Sequence, residues 1–264
     1  MCEGPLSSSF RDPSGFLFIH EGRLYRQVNR RYLEDYRRLQ ESGLYGALVD
    51  KGLLIPHTEA SLQLARSSEA IAILEPELIP FISYPYEWSF SQLRDAALLT
   101  LQVQDLALGR GMILKDASAY NVQFRQGRPV LIDSLSFATY RDGEPWIAYR
   151  QFCQHFLAPL ALMARVDIRL GGLLREHIDG IPLDLASRLL PGGTKLNAGL
   201  LMHIHAHAAS QRKHADRRAS GSAVKVSRRA LLGIVDSLRQ TAKGLSWRPR
   251  GTEWGDYYHD TNYS

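Results

Sequence analysis

Residues 113 to 137 read I-L-K-D-A-S-A-Y-N-V-Q-F-R-Q-G-R-P-V-L-I-D-S-L-S-F. An apolar run enters a tight turn that carries Asp116, and a short strand follows over 121–124. After a turn at Gly127, a strand over 129–132 runs into Asp133. Alternating apolar and β-branched residues on both sides of a glycine turn predict a hairpin. The second strand runs back antiparallel to the first, so Asp116 and Asn121 stand at the same mouth as Asp133. Two carboxylates and a carboxamide at one spot are oxygen donors suited to Mg²⁺. The same residues also suit a plainer role, in which Asp116 caps a turn and Asn121 closes it through side-chain-to-backbone bonds.

The spacing D-x-x-x-x-N, followed by a hairpin and by I-D at a strand end, resembles the catalytic loop and metal-binding aspartate of the protein-kinase-like fold. The branch it is most similar to is the small-molecule kinases of the aminoglycoside-phosphotransferase and choline-kinase type. The resemblance implies an α+β architecture with a small N-terminal β-rich lobe and a larger, mainly helical C-terminal lobe. It implies ATP and Mg²⁺ as cofactors and a small hydroxylated molecule as substrate. Asp116 would be the base or orienter for the acceptor hydroxyl, with Asn121 and Asp133 on the metal. The chain then divides into an N-lobe over 1–83, a connector over 84–90, a helical C-lobe over 91–246 that contains the hairpin, and a tail over 247–264 leading toward a further domain.

Upstream, F-L-F-I-H-E-G-R-L-Y-R-Q-V (16–28) predicts two strands joined at Glu21-Gly22. The resemblance puts a nucleotide-binding lysine on such a strand, and Arg26 stands in its place. Arginine keeps the charge but is forked and planar where lysine is a point charge. A phosphate-binding G-x-G-x-x-G is absent, since Pro13, Gly15 and Gly22 do not supply it. Leu33, Tyr36, Leu39 and Leu44 predict an amphipathic helix from 32 to about 48, weakened near its end by Gly43 and Gly46. It lies where the resemblance has a helix that offers a glutamate to the nucleotide-binding cation. Glu34 and Glu41 both qualify by position, and surface pairing with neighbouring arginines is the alternative for each. Runs over 53–58 and 70–82 predict further strands, with Pro76 and Pro80 confining the second to an edge or to breaks between strands. In the connector S-Y-P-Y-E-W-S-F, Tyr84, Tyr86 and Trp88 either line a purine slot or pack a crossing, of which packing is the commoner use.

Downstream, Ser89 or Ser91 caps a helix that runs to Gly109. A long buried helix before the hairpin is the order the resemblance implies. Three local departures follow: Ser118 stands where a lysine or histidine is usual, Lys115 carries charge but points elsewhere, and D-S-L-S-F replaces D-F-G. A largely apolar helix is predicted from Tyr149 to Met163, kinked or split by Pro159. Two shorter helices follow over 166–192, separated by Gly180 and Pro182. R-R-A-S-G-S-A-V-K (217–225) predicts a flexible connection, and Ser227 caps a last helix over 228–243. His203, His205 and His207 invite a metal reading, but only His203 and His207 share a helical face and no carboxylate lies near in sequence, so they read as a polar helix stripe.

At 264 residues and 45% apolar composition the chain can bury a sizeable core. No apolar run approaches membrane-spanning length, and M-C-E-G-P-L-S-S-S-F lacks the basic flank and apolar core of a secretory signal, so the expected location is cytoplasmic. Cys2 and Cys153 make neither a disulfide framework nor a zinc site, and Cys153 reads as a small buried apolar residue. The net charge of +5 and a pI near 9.2 suit a polyanionic partner. The basic clusters, Arg30, Arg31, Arg37, Arg38 and then Arg212, Lys213, Arg217, Arg218, are not interleaved with aromatics, which favours solvated helix faces over a nucleic-acid platform. The segments S-Y-P-Y-E-W and L-K-D-A-S-A-Y-N, with the aromatic tail after 246, also resemble the N-terminal region of larger bacterial proteins described as S-adenosylmethionine-dependent methyltransferases. No glycine-rich strand-to-helix cofactor motif is present. That resemblance implies a linked C-terminal methyltransferase domain as partner, with a catalytically weak or inactive kinase-like module as the alternative function.

Overall fold

The computed structural model describes residues 4–6, 12–210 and 225–248. The N-terminal part is a five-stranded antiparallel sheet in the order β1-β2-β3-β5-β4. Its strands are β1 (Gly4–Pro5), β2 (Gly15–His20), β3 (Arg23–Asn29), β4 (His57–Ala60) and β5 (Ala70–Pro76). Glu21 and Gly22, both at positive φ, make the tight turn that a right-twisted β2–β3 hairpin requires. β5 lies inside the sheet and ends at Pro76, because a proline has no N–H to extend the ladder. The strand expected to continue to 82 therefore stops there.

Between β3 and β4 stand α1 (Leu33–Glu41) and α2 (Leu44–Asp50) in place of the single helix expected from 32 to 48. Gly43 sits at φ 67°, a left-handed conformation that ends α1 and starts α2. Tyr36 and Leu39 form the buried face of α1, three residues apart.

The helical part starts with α3 (Phe90–Gly109), closed at its N-terminus by a capping box in which Ser89 Oγ accepts from the Gln92 N–H and Gln92 Oε1 accepts from the Ser89 N–H. Leu93, Leu101, Val103 and Leu108 are fully or almost fully buried along it, each stabilising the lobe by about 2 kcal/mol of transfer free energy. A second buried rod runs from Tyr149 to Arg165: α4 (Tyr149–Phe152), a π turn (Cys153–Leu157) and α5 (Ala158–Arg165). The expected disturbance at Pro159 is present as this widened turn just before it, since proline offers no N–H to the regular ladder. Cys153 is buried within it. The shorter helices α6 (Leu173–Glu176), α7 (Leu183–Leu189) and α8 (Ala198–Leu200, continued as a π turn over Leu201–Ala206) follow, and α9 (Arg228–Gly244) packs on α3 with its N-terminus capped by Ser227. This is the α+β, two-lobed arrangement the resemblance implies.

Three short strands carry the stretch of 113–137. β6 (Met112–Leu114) pairs with β9 (Phe137–Thr139), and β7 (Val122–Arg125) pairs with β8 (Arg128–Leu131). The lobes are tied through this region. Ile55 N donates to Leu131 O and Leu131 N to Leu53 O, each within 3 Å. Tyr32 Oη donates to Phe137 O at 2.8 Å, and burial holds that phenol well above its ordinary pKa. Leu135 inserts upward among Val28, Tyr32, Tyr36, Ala72 and Leu74 of the sheet lobe.

Among the described residues no helix is long and apolar enough to cross a membrane. Residues 217–224 of the flexible connection expected over 217–225, the cluster Arg212, Lys213, Arg217, Arg218, Cys2, and the tail from 249 on lie outside the described residues.

Candidate functional site

Asp116 is delivered by β6, whose end is fixed from two sides. The Leu114 N–H donates to Gln104 Oε1 of α3 at 2.8 Å, and Leu114 O accepts from Trp146 Nε1 at 2.7 Å. The turn after it is an Asx turn, as the plainer reading of the sequence had it: Asp116 Oδ1 accepts from the Ser118 N–H at 2.9 Å. Gln151, at the start of the buried rod, then grips the loop with both ends of its amide. Its Nε2 donates to Asp116 Oδ1 at 2.8 Å and its Oε1 accepts from the Ala117 N–H at 2.7 Å. With Oδ1 doubly held, the carboxylate orientation is set by the scaffold.

Asn121 opens the hairpin. Its carbonyl accepts from the Ile132 N–H at 2.8 Å, which brings the first strand's start level with the residue before Asp133. Its Nδ2 donates to Ser136 Oγ at 3.2 Å, leaving the amide oxygen without a partner among the described residues. Gln126 and Gly127, both at positive φ, close the far end. Asp133 Oδ1 accepts from the Leu135 N–H at 2.8 Å and from Arg26 Nη1 at 2.9 Å. Arg26 Nη2 reaches Asp12 Oδ2 at 3.4 Å, so one guanidinium bridges two carboxylates.

Asp116 and Asn121 share a cavity of about 410 Å³ with Ser118, Tyr120, Gln151, His155, Ile178 and Asp179. His155 is buried, which pushes its imidazole down to about 4 against the opposing pull of Asp116 and Asp179, so it is neutral at pH 7. Asp179 is held over the cavity by Gly180, whose φ of 90° and near contact with Gln154 and His155 admit no side chain. A second cavity of about 370 Å³ adjoins through Ile178 and Asp179.

The structure thus brings Arg26 to Asp133, links Asn121 to the Asp133 turn through Ser136, and sets Asp116 and Asn121 in one cavity. It does not bring Glu34 or Glu41 to Arg26. Glu34 is exposed and lies 3.7 Å from Arg37, and Glu41 is exposed at the end of α1. The inward pair Tyr36 and Leu39 turns both glutamates outward. The acid of α1 that does reach the other lobe is Asp35, whose Oδ1 accepts from the Thr139 N–H at 2.8 Å. Of the connector aromatics, Trp88 is buried and packs edge-on to Phe124, while Tyr84 and Tyr86 stack on each other at 5.4 Å. His203 bonds Tyr149 and Ser237, and His205 bonds Ser187 and Thr194, so both are internal struts.

Gln151, Asp179 and Asp12 escaped the sequence reading. Asp179-Gly180 is a turn dipeptide that reads only as a helix break, Asp12 precedes Pro13 outside any periodic pattern, and no signal marks Gln151.

No family model matches the chain. It is 38% identical over 203 residues to "Nodulation protein NoeA" of Rhizobium meliloti (strain 1021), a match covering 76% of this chain and 42% of that protein. The chain therefore spans less than half the length of the curated relative it matches. The solved structure of vaccinia related kinase 3 overlays 90% of each chain at 10% identity with a TM-score of 0.42. The two-lobed fold is carried by the strand order and helix placement above.

Proposed function

We propose that the chain is a kinase-like phosphotransferase domain that uses ATP and Mg²⁺ to phosphorylate a hydroxyl of a small molecule lodged beside Asp116. What supports this reading is the Arg26–Asp133 ion pair, the bond of Asn121 to Ser136 three residues beyond Asp133, and above all the cavity that Asn121 shares with Asp116. The donor set fits the metal: an amide oxygen at Asn121 and a carboxylate at Asp133 match an ion that keeps most of its shell as water and phosphate oxygens. Bound there, Mg²⁺ would neutralise charge on the transferring phosphoryl group.

The protein's own contribution is placement. Arg26 bears on the phosphates from the sheet lobe. Asp116, its Oδ1 fixed by Gln151 and Ser118, turns its other oxygen to the acceptor and takes the hydroxyl proton as the γ-phosphoryl group passes from ATP to the acceptor oxygen, with ADP as the leaving group. His155, being neutral, adds no positive charge that would compete for Asp116. Calorimetry with ATP tests the reading: the unmutated protein binds in the presence of Mg²⁺ and Asp133→Ala abolishes the Mg²⁺-dependent part. Absence of ATP binding at millimolar ligand by the unmutated protein overturns it.

A second reading, a catalytically weak or inactive module serving a linked S-adenosylmethionine-dependent methyltransferase, is favoured by two observations. Most of the length of the NoeA relative lies outside the match, and the Asp12 carboxylate already stands against Arg26. The relative's name says nodulation and specifies no chemistry. Under this reading Asp116→Asn leaves the function of the whole protein intact, whereas under the first it removes it.

A further inference from the structure

A ring of contacts joins residues 12–14, just before β2, to the stretch that carries Asp116 and Asp133. Lys115 Nζ donates to Ser14 Oγ at 3.1 Å, and the Ser14 N–H donates to Asp12 Oδ1 at 2.8 Å. Asp12 Oδ2 faces Arg26 Nη2 at 3.4 Å, and Arg26 Nη1 pairs with Asp133. The ring closes where the Lys115 N–H donates to Ser136 O at 2.8 Å, three residues beyond Asp133.

Two members of this ring are left short of partners. Lys115 has no carboxylate within ion-pair distance among the described residues; its ammonium rests on the face of Tyr32, 4.4 Å from the ring centroid, and on one serine hydroxyl. Arg26 Nε is buried with no hydrogen-bond partner. A half-buried ammonium satisfied only by a ring face and a hydroxyl, beside a guanidinium with an unused N–H, leaves cationic donors with capacity for an anionic oxygen. Asp12 and Asp133 both bear on Arg26, so Lys115 is left without a direct counter-ion among the described residues.

We infer that Lys115, Arg26 and the Ser14 hydroxyl form an anion site for a polyphosphate, with Lys115 supplying from the helical lobe the phosphate-binding charge that a glycine-rich loop does not supply here. The inference rests on the reading of the protein as nucleotide-binding and adds to it a binding residue and a competitor. Asp12, already bonded to Arg26, opposes the incoming anion.

The test titrates pyrophosphate, inorganic tripolyphosphate and ATP, each with Mg²⁺, into the unmutated protein and the variants Lys115→Gln, Lys115→Arg and Asp12→Asn. Thermal melts of each variant check that it is folded. Lys115→Gln weakens tripolyphosphate and ATP about tenfold, the worth of one charge-assisted contact, and Lys115→Arg recovers most of the loss. Asp12→Asn tightens both several-fold, a gain that damage to the fold would not produce. Unchanged ATP affinity in both Lys115→Gln and Asp12→Asn overturns the inference and leaves nucleotide binding standing. Binding of tripolyphosphate without ATP keeps the anion site and removes the nucleotide reading. If none of the three ligands binds, both fall.

Discussion

Removing the Arg26 guanidinium tests the joint between the lobes without requiring any activity. Arg26 and Asp133 side chains are only 12% and 16% exposed and their charged atoms are 2.9 Å apart, so the pair is outside the class of surface bridges worth ~0–1 kcal/mol. Two unit charges with centres about 4 Å apart attract by about 4 kcal/mol at an effective dielectric of 20. Desolvation of both groups offsets roughly half of this. Arg26→Met leaves both Asp133 and Asp12 without their cation and destabilises by about 3 kcal/mol, the lower range for breaking a buried pair. Asp133→Asn costs less, about 1.5 kcal/mol, because Arg26 retains Asp12 and the Leu135 N–H retains an oxygen acceptor. The double variant falls short of the sum, with a coupling of about 2 kcal/mol. Urea unfolding at constant m-value measures all three, and the exposed Arg188–Asp184 bridge at 2.8 Å serves as the control pair with coupling of about 0.4 kcal/mol. A coupling at Arg26–Asp133 below about 0.5 kcal/mol, within the scatter of independent sites, refutes the argument that this pair joins the lobes.

Two further outcomes follow from the structure. Gly180→Ala forces an alanine to φ 90° with its Cβ 2.7 Å from Gln154 Cβ, and is expected to destabilise by about 2 kcal/mol or more; Gly22→Ala, at φ 75° but in open space, costs about 1 kcal/mol, and equal melting-point losses for the two variants would show that Gly180 is not pressed against the rod. Burial holds His57, His155 and His203 each at about 4, below the unfolded value near 6.5, so the unfolded chain binds their protons first. Their stability contribution is complete above pH 6.5 and is lost as pH falls toward 4, by about 1.4 kcal/mol per pH unit for each histidine. Urea midpoints that do not move between pH 7 and 5 would mean these imidazoles are not buried in neutral form.

The hairpin was legible because everything that makes it is local. Alternation, a glycine at positive φ and a proline at the strand start are all contained in the stretch itself, and the antiparallel return then places Asn121 level with Ile132. The Glu21-Gly22 turn and the Ser89 cap were readable for the same reason. What failed were properties of faces and partners. Glu34 and Glu41 qualified by their position along α1, yet which side of a helix faces inward is fixed by what it packs on, and Tyr36 and Leu39 took that side. One helix became two because Gly43 was weighed as a weak helix former when it acts as a left-handed stop. Gln151 acts across 35 residues of chain on Asp116, and no periodicity encodes such a contact.

Arginine at position 26 and aspartate at position 12 are one feature, although in the sequence they look like a substitution and a stray acid. A lysine ammonium is a point charge with three rotatable donors on a flexible stem and sets no fixed angle between two carboxylates. The guanidinium fork presents Nη1 to Asp133 in the helical lobe and Nη2 to Asp12, three residues before β2, at 2.9 and 3.4 Å. Its planarity fixes the angle between those two partners. Asp12, and the Ser14 N–H bonded to it, are thereby held against the turn after the hairpin by charge. Gly15, next along, is pressed between Gln27 O and Leu135 so closely that no Cβ fits. Arg26, Asp12 and Gly15 therefore belong to a single packing solution at the joint between β2 and the turn after Asp133.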